Sequence, residues 1–249
     1  MVGSAENIGC TNFILNTIVA EELSLFADEL EKAKDFNAAL NALIKRTVKE
    51  HKRILFSGNN YSDEWVKEAE KRGLLNLKST VDALRYYGSD KNVKLFEKHK
   101  VLSLSEIKSR AEILFENYAN RVYIEALTAT DMARKELTPA IISYEKFLLD
   151  EFNEKKKIDK DLNVDLELSA LKKLSALSGA FSEKLELLSD AVNKTPKGES
   201  PLKRAEYAKD VLIPAVNELR KVWDEAELLI GKDFVKFPLY EDILYSVKY

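Results

Sequence analysis

What most constrains this chain is how little punctuation it carries. Its 249 residues include 8 Gly and 5 Pro, where an average chain of this length holds roughly 30 of the two together. A β-sandwich or barrel needs such residues at every turn, so their scarcity points to long helices. The expectation is an all-α fold: a long-helix bundle with a kinked or split central helix and several short capped helices.

Hydrophobic periodicity places those helices. After a small, irregular start, Thr11 or Asn12 can cap a helix with the apolar stripe Leu15, Ile18, Val19, Leu23, Phe26, Ala27 and Leu30. Asp35 restarts the pattern, which continues through Leu43, Ile44 and Val48 to Phe56, and the short connection predicts an antiparallel hairpin. Ser57-Gly58-Asn59-Asn60 reads as a loop. Three short helices follow, opened by Ser62, by Ser79 or Thr80, and by Ser89, and closed at Gly73, Gly88 and near Lys100.

From Ser103 the character changes. Ser103-Leu104-Ser105-Glu106 has the spacing of a capping box, and a glycine-free helical pattern then reaches Asn153. Unbroken, it would be a rod of roughly 75 Å, but Pro139 either kinks or splits it. Lys155 to Asp161 reads as a charged turn. A helix from Val164 to Asn193 follows, with Leu171, Leu174, Phe181, Leu185, Leu188 and Val192 at the spacing of a coiled-coil seam and Ser178 filling the gap. Thr195 to Glu199 is a loop, Ser200-Pro201 opens a last helix to Gly231, and Pro214 is expected to bend it. The tail carries Phe234, Phe237, Tyr240, Tyr245 and Tyr249, and is expected to dock on the chain or a neighbour. No internal repeat is evident. Two parts result, 1–100 and 101–249.

Composition narrows the chemistry. Lys and Arg number 39 against 42 Asp and Glu, for a net charge of −3, whereas a nucleic-acid-binding domain is normally strongly basic. One cysteine excludes an internal disulfide framework and a four-thiolate zinc site. The start lacks the basic segment and apolar core of a secretory signal, and no apolar stretch approaches the ~20 residues that span a bilayer. The chain is expected to be cytoplasmic, without membrane or nucleic-acid partners.

Each candidate for chemistry has a plainer reading beside it. His51 and His99 fall at helix ends, where a histidine complements the dipole. A di-iron reading fails because Val48 and Phe96 stand where the ligand Glu would be. Cys10 precedes a helix start, which lowers a thiol pKa, yet no histidine is nearby in sequence. Gly3-Ser4-Ala5-Glu6-Asn7-Ile8-Gly9 lacks the Gly-Lys-Ser/Thr ending of a phosphate loop. Glu116, Arg121, Glu125, Thr128, Asp131, Arg134 and Lys135 form a polar ladder, read as a solvated or interfacial face. Trp65 and Trp223 read as packing anchors, and Lys155-Lys156-Lys157 as a solvated run. The expectation is that no catalytic, cofactor-binding or metal-binding residue lies in this segment.

Several long runs resemble a known family. They are Met1-Val2-Gly3-Ser4, Cys10-Thr11-Asn12, Leu15 to Glu21, His51 to Trp65, Glu68 to Leu77, Ile124 to Thr128, and Phe237-Pro238-Leu239-Tyr240-Glu241-Asp242-Ile243-Leu244. Together they resemble the C-terminal region of type III glutamine synthetase, with the likeness weakest between Lys155 and Gly231. The resemblance implies that residues 1–100 end the catalytic domain and that residues 101–249 form a family-specific helical extension. It implies, for the full-length enzyme, ligation of ammonia to glutamate through γ-glutamyl phosphate, with ATP and Mg2+ or Mn2+. It also implies an upstream catalytic domain as partner and a homo-oligomer of stacked hexameric rings. The family's catalytic motifs lie upstream of such a segment, which is then expected to be inactive alone. Met1 reads as an internal methionine or the start of a truncated frame. The alternative is a free-standing helical interaction module that uses the Leu171 to Val192 stripe.

Overall fold

The computed structural model describes residues 8–238 and 240–246. The described residues are helical, with no strand among them. Two compact units divide at Glu112 and Ile113, within a helix.

Unit 1, residues 1–112, holds α1 (Gly9–Leu30), α2 (Phe36–Glu50), α3 (Asp63–Lys71), α4 (Thr80–Tyr87), α5 (Asp90–Lys98) and the start of α6 (Leu104–Met132). Its short helices are closed by local chemistry. The Asp35, Ser62 and Ser79 side chains accept from the backbone N–H of Ala38, Trp65 and Asp82, at 3.1, 3.3 and 3.1 Å. Each satisfies a donor that a helix start leaves orphaned. The capping box forms as well: Ser103 N donates to Glu106 Oε2 at 2.8 Å, and Glu106 N donates to Ser103 Oγ at 3.3 Å.

Two helix ends close in the same left-handed way. Gly73 has φ +74°, with Leu74 N donating to Ala69 O and Gly73 N to Glu70 O. Lys100 has φ +54°, with Val101 N donating to Phe96 O and Lys100 N to Glu97 O. Both are Schellman motifs, but a glycine sits in the first and a lysine in the second.

Some boundaries differ from the sequence reading. Helix α1 starts at Gly9, ahead of Thr11, with no side-chain cap. Helix α2 ends at Glu50, because the chain tightens into a 3-10 turn at Lys52–Ile54. There the Arg72 guanidinium takes the carbonyls of Arg53 and Leu55 at 3.3 and 3.0 Å, so those groups are satisfied outside the helix. The apolar stripe of α1 is also not the packed face. Phe13, Ile14 and Cys10 pack against a small core of Tyr87, Val93, Phe96, Leu102 and Ile107. Leu15, Ile18, Val19 and Leu23 are exposed, as are Phe36, Ile44 and Val48 of α2.

Unit 2, residues 113–249, contains the rest of α6, then α7 (Thr138–Ile158), α8 (Asp165–Asn193), α9 (Pro201–Tyr207), α10 (Ile213–Glu227) and the short α11 (Tyr240–Leu244). Helix α8 packs against both α7 and α10. Its Leu174, Phe181 and Leu188, seven residues apart, are almost fully buried, as a seam with a heptad period demands. Trp223 of α10 meets Phe181 edge-on at 6.3 Å, and Val122 and Ala126 of α6 join the same core.

Neither Pro139 nor Pro214 ends its helix. Each follows a π turn, Ala133–Leu137 and Ala208–Leu212. Thr138 N donates five residues back to Ala133 O, and Ile213 N likewise to Ala208 O. The widened turn admits a proline ring that would clash in a regular α turn and tolerates its missing N–H. Residues 104–158 are therefore 55 consecutive helical residues. A short repeat underlies this, contrary to the sequence reading: Ala133-Arg-Lys-Glu-Leu-Thr-Pro-Ala140 and Ala208-Lys-Asp-Val-Leu-Ile-Pro-Ala215 share Ala, Leu, Pro and Ala at equal spacing.

Helix α7 continues to Ile158, so the lysines read as a turn form its last helical turn, where cations complement the dipole. Lys156 Nζ donates to the carbonyls of Lys160 and Leu162 at 2.7 and 2.9 Å, and Lys155 pairs with Glu167 at the start of α8. Helix α10 ends at Glu227, and a 3-10 turn at Lys232–Phe234 begins the tail. Phe234 packs on Tyr144 and Phe147 at 5.1 and 5.5 Å, and Phe237 on Trp223 at 6.0 Å. Tyr240 and Tyr245 are exposed, so the aromatic packing on this chain's own core reaches Phe237; Tyr249 lies outside the described residues.

Candidate functional site

The richest polar cluster of unit 1 lies where α1 meets α5. His99 is the residue that ends α5, and its Nε2 lies 2.6 Å from Glu21 Oε2 on α1. Lys98 Nζ donates to Glu21 Oε1 at 2.7 Å. Hydrogen bonds from Lys98 and then His99 hold the Glu21 carboxyl below its ordinary value. A histidine oriented by a carboxylate is half of a general-base arrangement, but the other neighbour here is a lysine already committed to the same carboxylate. The cluster ties two helices. Seventy-eight residues separate Glu21 from His99, so no local spacing announced the pair.

Cys10 falls inside the first turn of α1, half-buried against the core. Beside it the Tyr87 hydroxyl is buried with no hydrogen-bond partner; burial first, then the neighbouring Cys10 thiol, push its phenol up to about 12. Such a phenol stays protonated and inert as a base at neutral pH. His51 ends α2 and is exposed, as a helix-end residue would be. Of the glycine-containing start, Gly3 to Asn7 lie outside the described residues, and Gly9 opens α1.

The ladder residues of α6 and the following turn are exposed, and several reach neighbouring segments. Lys135 pairs with Asp131 at 2.6 Å, Arg134 donates to Ser189 Oγ of α8 at 2.7 Å, and Glu116 lies 3.9 Å from Arg204. Clefts of about 430 and 620 Å3 flank Arg134, and their linings mix polar side chains with apolar ones such as Leu127, Met132 and Leu185. Trp65 stacks on Phe56 at 3.9 Å under the Arg72 guanidinium, and Trp223 is core; both anchor packing. Within the Leu171 to Val192 stripe, Leu174, Phe181, Leu185, Leu188 and Val192 are taken up by the core of unit 2, which leaves those five no free face for a partner. Besides Glu21 and Lys98, Arg72 and Glu167 are side chains that sequence reasoning missed. Each bonds to groups beyond its own helix, which periodicity does not register.

No three His, Cys, Asp or Glu side chains of the described residues gather into a group able to hold a metal ion. No helix among them is long and apolar enough to cross a membrane.

Residues 39–156, from within α2 to the last turn of α7, match the model of the glutamine synthetase C-terminal domain. The chain is 39% identical over 233 residues to a glutamine synthetase of Butyrivibrio fibrisolvens, covering 93% of this chain and 32% of the relative. It is 32% identical over 254 aligned positions to the type-3 glutamine synthetase of Dictyostelium discoideum, covering 98% and 34%. A glutamine synthetase of Bacteroides fragilis is 24% identical over 98% of the chain. The chain spans about a third of the length of the curated relatives it matches.

Proposed function

We propose, for a chain that belongs to the glutamine synthetase family through its C-terminal domain, that it serves as the closing and assembling portion of a type III enzyme. The full-length protein ligates ammonia to glutamate through γ-glutamyl phosphate, with ATP and Mg2+ or Mn2+, in the cytoplasm and as a homo-oligomer. Residues 1–100 close a catalytic domain supplied upstream, and residues 101–249 form a helical extension. The observation that carries this reading is the alignment of 93% and 98% of the chain with one third of two curated synthetases.

The geometry supports the division of labour. ATP and its metal need converging carboxylates; no three His, Cys, Asp or Glu of the described residues gather in that way, and those groups are placed in the upstream domain. What the described residues do present is exposed apolar surface on α1 and α2, larger than isolated surface residues require and suited to burial against another domain. The reading is tested by assaying ATP turnover that depends on both glutamate and ammonia. The expected outcome is none from the 249-residue chain, and turnover by the chain alone would overturn the proposal.

A further inference from the structure

Tyr87 is 8% exposed in the small core of unit 1, and no group accepts a hydrogen bond from its hydroxyl. A buried donor left unmade in this way costs free energy. Burial, and then the Cys10 thiol that it faces, push its pKa up to about 12, so the proton stays in place. A thiol sulfur is a weak acceptor. An oxygen bonded to that sulfur is a stronger one and would satisfy the donor.

The surroundings suit chemistry at the same sulfur. Cys10 lies in the first turn of α1, where orphaned backbone N–H groups and the helix dipole favour negative charge. The Arg110 guanidinium sits 6.0 Å from the centre of the Phe13 ring, one turn along α1, and its charge reaches Tyr87. Cys10 is half-buried, which leaves a side open to a small oxidant. We propose that Cys10 is a site of reversible oxidation by hydroperoxides, at which the Tyr87 hydroxyl donates to the oxygen of the sulfenic acid. The thiolate sulfur attacks one oxygen of hydrogen peroxide, so an S–O bond forms and the O–O bond breaks. The sulfur loses two electrons, and the other oxygen leaves as hydroxide and takes up a proton to become water. Cys10 is the single cysteine of the chain, so reversal falls to a small external thiol, which displaces water to give a mixed disulfide that a second thiol reduces. The site goes beyond the closing role proposed above and does not depend on it.

The test treats the reduced 249-residue chain with hydrogen peroxide, adds dimedone after increasing delays, and follows Cys10 by mass spectrometry. Dimedone captures sulfenic acid, so the parent gains the adduct at Cys10. Tyr87→Phe keeps the ring and its packing but removes the donor, and circular dichroism checks the fold. In that variant the captured species decays roughly fivefold faster, the weight of one neutral hydrogen bond, and sulfinic acid takes its place. Alkylation of reduced Cys10 by iodoacetamide, which reports exposure of the sulfur, keeps the parent's rate. No adduct in the parent overturns the inference, and so does an equal lifetime in the variant. Faster decay matched by equally faster alkylation also overturns it, because Tyr87 would then act by covering the thiol and not by its hydroxyl.

Discussion

Unit 1 is cut into short helices whose ends are closed by side chains and backbone motifs, whereas unit 2 is built from long helices held by their faces. In unit 1 the cap residues Asp35, Ser62, Ser79 and Ser103 each satisfy an orphaned backbone N–H, and its central core gathers only Tyr87, Val93, Phe96, Leu102 and Ile107 as buried residues. In unit 2 helix α8 joins its neighbours through Leu174, Phe181 and Leu188; its N-cap residue Val164 has no capping side chain, and Asn163 Oδ1 takes just the first N–H, that of Asp165. The contrast teaches where stability resides. Helices of eight or nine residues are too short to persist on propensity, so their termini carry a larger share of the load. A 29-residue helix with a continuous seam depends on burial.

The comparison breaks most readily at the seam. Leu174 is fully buried, and Leu174→Ala should cost unit 2 about 2–5 kcal/mol through lost transfer energy and the cavity left behind. Hydrogen exchange followed by mass spectrometry would show the loss across α7, α8 and α10. If α3 to α5 lost protection by the same amount, the units would be one cooperative block and the contrast would fail.

A smaller pair of effects sharpens it. Gly73→Ala should destabilise unit 1 by about 1 kcal/mol, because alanine resists the left-handed backbone. The added Cβ would sit 3.8 Å from Arg53 Nη1, so the cost comes from conformation and not from a clash. Lys100→Gly should do the reverse, raising stability by about 0.5–1 kcal/mol as strain is relieved against greater freedom in the unfolded chain. Urea titration of both variants checks the signs; equal signs would show that these caps are not what limits unit 1.

The smallest effect is an acid one. The folded-state pKa of Glu21 is held below the ordinary 4.5 by Lys98 and His99. Its contribution is therefore present above 4.5 and is lost as pH falls through the depressed folded value. Amide exchange in α1 and α5 should quicken over that window, and Glu21→Gln should flatten the response. An unchanged acid response in the variant would assign the effect to other carboxylates.

How much of this was legible in the sequence follows the same divide. The caps at Ser62 and Ser79 and the box at Ser103 could be named from adjacent residues, because capping is local chemistry. The α8 seam was legible because seven-residue spacing survives any neighbour. Chemistry that joins distant residues was not: nothing near Glu21 signals His99, and nothing near Arg72 signals the carbonyls of Arg53 and Leu55. The stripe of α1 misled for a related reason. That helix is apolar on two sides, so periodicity cannot say which side this unit packs and which it leaves for another surface. At the candidate site, the residue types were visible but their pairing was not.

The two wide turns carry a consequence for how these helices tolerate insertion and deletion. A π turn holds one residue beyond what α continuity requires, so Ala133–Leu137 and Ala208–Leu212 each store a single surplus position in an otherwise gap-intolerant rod. Removing that position alone would push the following proline back into a regular turn that rejects it. Removing it together with a Pro→Ala change would leave an uninterrupted α-helix whose downstream face keeps its alignment, so tolerance of the deletion depends on the proline.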